Sequence, residues 1–162
     1  MHKNFRPLLA ALMVTAAQTA LWAIMPAKAG VPGSRSQINL DAHSVALGGY
    51  DPVAYFDGGK PIHGIPTIFA SYRGARYLFA TPEHRRTFLK NPRKYVPEFG
   101  GFCVVGTAFG EKVDADPKTG DLVNGKLYLN NNQRALDIFN KDQPGTIAKA
   151  KSNWPTVKDK AL

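Results

Sequence analysis

The 162-residue chain predicts a small single α+β domain of short antiparallel strands and hairpins with about three helices. Three observations lead there. Asn124-Gly125, set between Asp121-Leu122-Val123 and Lys126-Leu127-Tyr128-Leu129, is a strong two-residue hairpin signal. Thr81-Pro82-Glu83 ahead of Phe88 and Leu89 has the order of cap, first-turn proline and acidic residue that opens a helix. Strand-like and helix-like stretches do not alternate as βαβ units, and no internal repeat is present, which favours α+β over a parallel α/β sheet.

From the start, Lys3 and Arg6 give a positive head and Leu8 to Met25 is mostly apolar, interrupted by Thr15, Gln18 and Thr19. Pro26 then breaks the run, and Ala27-Lys28-Ala29 has the small-x-small pattern of a signal-peptidase site. Residues 1–29 therefore read as a signal peptide cleaved after Ala29, which predicts a periplasmic or secreted protein with no membrane span after cleavage. No Arg-Arg pair marks the twin-arginine route and no cysteine marks a lipid anchor. What remains suffices for one core. The net charge of +9 falls by three with the leader; the rest is spread, densest at Arg85-Arg86, Arg93-Lys94 and Lys149 to Lys160. Such runs are ordinarily solvated helix faces, and an exported chain meets little nucleic acid, so that partner is rejected.

Residues 30–47 form a lead-in, flexible through Gly30 to Gln37 and open to a short strand or a helical turn from Ile38 to Leu47, with Gly48-Gly49 as punctuation. The main domain spans 48–158. Pro52 to Phe56 reads as a strand and Asp57-Gly58-Gly59-Lys60-Pro61 as a turn. Thr67 to Tyr72 and Ala75 to Ala80 flank Arg73-Gly74 as a hairpin. The helix after Thr81 runs to Lys90 and stops before Pro92; Tyr95 and Pro97 continue as an extended loop. Phe99 to Gly106 is a short buried helix or strand behind two glycines. Asp114 and Asp116 read as a turn before Pro117-Lys118-Thr119-Gly120. Asn131 or Asn132 caps a helix with apolar positions 135, 136, 138 and 139 on one face. Asp142 caps a last helix that Pro155 ends.

Cys103 is the one cysteine. Exported domains that use cysteine for stability use pairs, so Cys103 is a buried inert side chain, a functional free thiol, or half of a bridge to another molecule. Behind a Gly-Gly turn it can stand at a helix N-terminus, where a thiolate is favoured; Phe102, Val104 and Val105 support plain burial instead. His43, His63 and His84 are scattered, without His-x-x-x-His or Cys-x-x-Cys spacing. No calcium loop, Gly-x-Ser-x-Gly elbow or phosphate loop is present.

Gly49-Tyr50-Asp51-Pro52-Val53-Ala54-Tyr55-Phe56, Tyr72-Arg73-Gly74-Ala75-Arg76-Tyr77-Leu78-Phe79, Phe88-Leu89-Lys90-Asn91-Pro92-Arg93-Lys94-Tyr95, Phe99-Gly100-Gly101-Phe102-Cys103, Gly125-Lys126-Leu127-Tyr128-Leu129 and Asn153-Trp154-Pro155 together resemble the YHS domain, and in particular its exported branch. The resemblance implies a small α+β module. In metal-associated members cysteines stand where this chain has Ala54, Ala80 and His84, so His84 alone keeps a metal ligand there; Cys103 matches a position where some exported relatives carry selenocysteine. The functional expectation is an exported YHS-type binding module, not an enzyme, that captures a small ligand or a soft transition-metal ion such as copper through Cys103, with His84 and more weakly His63 assisting. Two alternatives stay open: a redox protein whose Cys103 is restored by a partner thiol, and a structural or interaction domain with Cys103 packed and silent.

Overall fold

The computed structural model describes residues 30–58 and 60–162; the expected signal peptide lies outside them. Among the described residues, two antiparallel hairpins and five α-helices make an α+β domain. The first hairpin pairs β1 (Ile65–Tyr72) with β2 (Ala75–Phe79), turning at Arg73-Gly74. The second pairs β3 (Asp116–Val123) with β4 (Lys126–Asn130), turning at Asn124-Gly125. In both turns the two central residues have positive φ, 52° and 79° in the first, 52° and 71° in the second. That backbone matches the strand twist and makes each turn tight.

Between the hairpins come α1 (Pro82–Lys90), α2 (Pro92–Tyr95), a 3-10 turn at Glu98–Gly101 and α3 (Val104–Ala108). After the second hairpin come α4 (Gln133–Lys141) and α5 (Gln143–Val157). The three longer helices start on the expected caps: the Thr81, Asn132 and Asp142 side chains accept from the backbone N–H groups of His84, Ala135 and Gly145. Each such cap is worth about 1 kcal/mol.

Four local expectations differ from the structure. Pro52 to Phe56 is a series of turns, not a strand, because Asp51 closes a turn on the Val53 N–H. Tyr95 ends a short helix instead of lying in an extended loop. Asp116, expected in a turn with Asp114 ahead of Pro117, is the first residue of β3. Pro155 does not end α5, which continues to Val157. The lead-in is also tied down: Gly33 N–H donates to the Leu162 carbonyl, Leu162 N–H to that of Ser34, and Asn39 N–H to that of Gly100.

The core has two parts joined by β4. Leu127 and Leu129 pack with Tyr55, Phe79 and Phe88 in the first. Tyr128, pointing to the opposite face, packs with Phe139, Ile147 and Ala150 in the second. Successive strand side chains alternate faces, so one short apolar strand serves both cores. The first core closes around Phe88, whose ring meets those of Tyr72, Tyr77, Phe79 and Tyr95 at centroid distances of 6.2, 5.2, 5.1 and 6.4 Å.

Candidate functional site

Cys103 is the N-cap of α3, the helix-terminal version of the sequence expectation. The left-handed backbone of Phe99, Gly100 and Gly101 swings the chain in behind it. Gly100 has to be glycine, because a Cβ there would collide with the Gln37 carbonyl of the lead-in. The Cys103 sulfur accepts the Gly106 N–H at 3.4 Å, its own N–H donates to the Val113 carbonyl, and its carbonyl accepts from Thr107 N–H and Oγ1. The residue is 2 % exposed and packs in the second core with Val104, Tyr128, Phe139 and Ile147. Among the described residues no charged side chain is bonded to its sulfur.

His84 stands elsewhere, three residues past the Thr81 cap on the first turn of α1. Its Nδ1 is 2.6 Å from Asp51 Oδ2. Asp51 is fully buried and its carboxylate is nonetheless satisfied: Oδ1 accepts the Val53 N–H at 2.8 Å, and Oδ2 accepts the Ala80 N–H at 2.8 Å besides the imidazole. An ionised carboxylate only accepts, so the neutral ring carries its proton on Nδ1 and leaves the Nε2 lone pair free. Nε2 lies 3.5 Å from Oδ2 of Asp57, a strongly exposed carboxylate, and the His84 side chain is itself 16 % exposed. This carboxylate–imidazole arrangement is the one that orients a histidine for a ligand on its other nitrogen.

No hydrogen bond or ion pair joins Cys103 to His84 among the described residues: Cys103 packs in the second core, whereas His84 lies on α1 against Asp51. His63 is exposed and stacks on Tyr50, ring centroids 3.9 Å apart. Among the described residues no group of three or more His, Cys, Asp or Glu converges as a preformed metal site; Asp51 is already taken up by its three donors. Ala80 and His84, two of the positions that the YHS resemblance links to cysteine, are both hydrogen-bonded to the Asp51 carboxylate.

Asp51 and Asp57 were not candidates from sequence. Asp-Pro-Val signals a turn closed by one aspartate oxygen; nothing local says that the other oxygen reaches α1. No family model, curated protein or solved structure matches the chain.

Proposed function

We propose that this chain is an exported YHS-type binding module and that it captures a transition-metal ion at His84 Nε2 with Asp57 beside it. The observation that carries the reading is the fully buried Asp51 carboxylate fixing Nδ1 at 2.6 Å, which leaves Nε2 as the one free ligand atom of the ring. The donor set is an imidazole nitrogen and a carboxylate oxygen. Such donors suit zinc or Cu(II) better than the soft Cu(I) that a thiolate would select. Two protein ligands leave the remaining coordination positions to water or to a second molecule, as in an open site. A proton on Nε2 would donate to Asp57 instead, so metal and proton compete for the same lone pair.

Cys103 then takes the structural role of the third sequence alternative, a packed cap of α3. The redox alternative needs a peroxide or a partner thiol to reach a sulfur that is 2 % exposed, and this burial argues against it.

Calorimetric titration with zinc and Cu(II) tests the reading. Wild type should bind with an affinity that falls at least about tenfold in His84→Ala, and Asp51→Asn should weaken it by about 10–100-fold through loss of ring orientation. Cys103→Ser should leave it unchanged. Equal affinity in wild type and His84→Ala would sink the assignment, and loss on Cys103→Ser alone would return it to the thiol.

A further inference from the structure

A separate cleft of 710 Å³ opens where the turns of both hairpins meet α2 and the lead-in. It falls in the usual size range of small-molecule sites. Four cations line it: Arg73 from the first hairpin turn, Arg93 and Lys94 from α2, and Lys126 from the start of β4. The one acidic residue of the lining is Glu98, and it is engaged by Lys126 at 3.0 Å. Arg73, Arg93 and Lys94 have no carboxylate within 4.0 Å among the described residues. Arg73 and Lys94 lie over the rings of Tyr72 and Tyr95 at 5.5 and 5.2 Å, so three cations line the same concavity with no protein carboxylate against them among the described residues. A cleft wall of low dielectric focuses such a field on whatever anion enters.

Aromatic groups share the cleft. Tyr77 lines it while only 2 % exposed. Its ring is held against Phe88 at 5.2 Å, and its hydroxyl has no protein hydrogen-bond partner among the described residues. The hydroxyl oxygen itself keeps contact with solvent, so its donor and acceptor are open to a molecule in the cleft. Burial raises the Tyr77 pKa above its ordinary value, with Tyr72 adding to the rise and Arg73 opposing it, so the hydroxyl remains a proton donor. Trp154 forms part of the wall, its ring 5.7 Å from that of Phe99. The frame is set in advance: both hairpin turns are the tight two-residue kind, and Phe99 at φ 51° with Gly100 at φ 64° holds the wall in a left-handed bend. Preformed sites avoid the ordering cost of binding.

We propose that this cleft binds a small phosphorylated aromatic molecule, the phosphate taken by Arg73, Arg93 and Lys94 and the ring lodged among Tyr77 and Trp154. Arginine favours phosphate because its planar fork can donate two parallel hydrogen bonds. A lipid headgroup offers the same phosphate, but a bilayer surface cannot reach the floor of a concave cleft at Tyr77, and the proposal commits to the soluble molecule.

The test is calorimetric titration of the full chain at low salt with phenyl phosphate, inorganic phosphate, phenol and phosphatidylglycerol vesicles. Phenyl phosphate should bind, with inorganic phosphate and phenol each at least about tenfold weaker. Arg73→Ala and Arg93→Ala, both at exposed side chains and so compatible with folding, should each weaken phenyl phosphate by about tenfold. Tyr77→Phe should weaken it by about threefold. Arg134→Ala, on the exposed start of α4 and outside the cleft lining, should have no effect. The proposal is overturned by an absence of phenyl phosphate binding, by equal affinity for inorganic phosphate, by a loss in Arg134→Ala as large as in Arg93→Ala, or by binding to vesicles alone.

Discussion

Cys103 gives its sulfur to the Gly106 N–H at 3.4 Å and keeps 2 % of its surface in contact with solvent. A thiol in that position contributes a weak cap and a small apolar volume. Reaction with a labelling reagent then requires an opening of the second core, and local openings of packed elements are rare. Labelling of the native protein should be at least about 100-fold slower than in denaturant. Cys103→Ala should destabilise by about 1–2 kcal/mol through the lost cap and the small void, read as a lower thermal midpoint. Labelling at equal rates with the fold intact would put the thiol at the surface and reopen the redox reading. The sequence showed that Cys103 follows a Gly-Gly bend and can cap a helix, because both signals are local. It could not show what covers the sulfur, since Tyr128, Phe139 and Ile147 arrive from three later elements. The same reason hid Asp51 as a partner of His84: the two are 33 positions apart, and only the packing of α1 on the first hairpin closes the gap.

Helices and tight turns were legible because their signals are contained in four or five consecutive residues. Thr81-Pro82-Glu83, Asn132 and Asp142 each act as read, and both hairpin turns fall where Arg73-Gly74 and Asn124-Gly125 put them. The errors cluster where proline or glycine serves a tertiary contact. Pro155 is accommodated inside α5, and Asp51 turns the apolar run after it away from strand geometry. Gly120 makes such a contact. In a strand, glycine often marks a site of close approach, and here a Cβ would lie 2.5 and 2.9 Å from ring carbons of Tyr55 and 3.2 Å from Leu129. Tyr55 cannot give way easily, because its ring is fully buried and its hydroxyl donates to the Pro117 carbonyl at 2.7 Å. Gly120→Ala should therefore cost about 1–3 kcal/mol by overpacking, measured by denaturant unfolding. A variant as stable as wild type would show that Tyr55 is loosely held and that β3 has slack against the first core.

At the scale of the molecule, the α+β class was readable from patterning alone, whereas the closure of the chain on itself was not. Lys112 provides that closure. It is 6 % exposed, and its ammonium donates to the carbonyls of Ser36, Lys158 and Lys160 at 2.6, 3.1 and 2.9 Å. One carbonyl belongs to the lead-in and two to the segment after α5, so a single side chain ties both described ends to the body. Among the described residues no carboxylate is hydrogen-bonded to the ammonium. The ammonium also lies 4.8 Å from the Phe102 ring centroid, above a face that attracts cations. Burial lowers the Lys112 pKa below the ordinary lysine value of 10.5, with Asp159 pulling it back up and Arg35 pushing it further down. The sign of the pH effect follows. A lysine whose folded pKa is below its unfolded one binds fewer protons in the folded state, so stability from this group rises with pH through the interval between the two values and is flat above and below it. Lys112→Met removes that titration along with three donors, and should cost about 2–4 kcal/mol at neutral pH because three carbonyls lose their partner. Raising the pH toward 10.5 should enlarge the stability advantage of wild type over Lys112→Met, since the wild-type ammonium sheds its desolvation penalty while the variant has none to shed. Comparing the two proteins cancels the titration of every other group, the buried tyrosines included. Thermal midpoints of both, followed from pH 7 to 10.5, measure it directly. A gap that stays constant or narrows would mean that the three carbonyls hold the ammonium at least as well as water does.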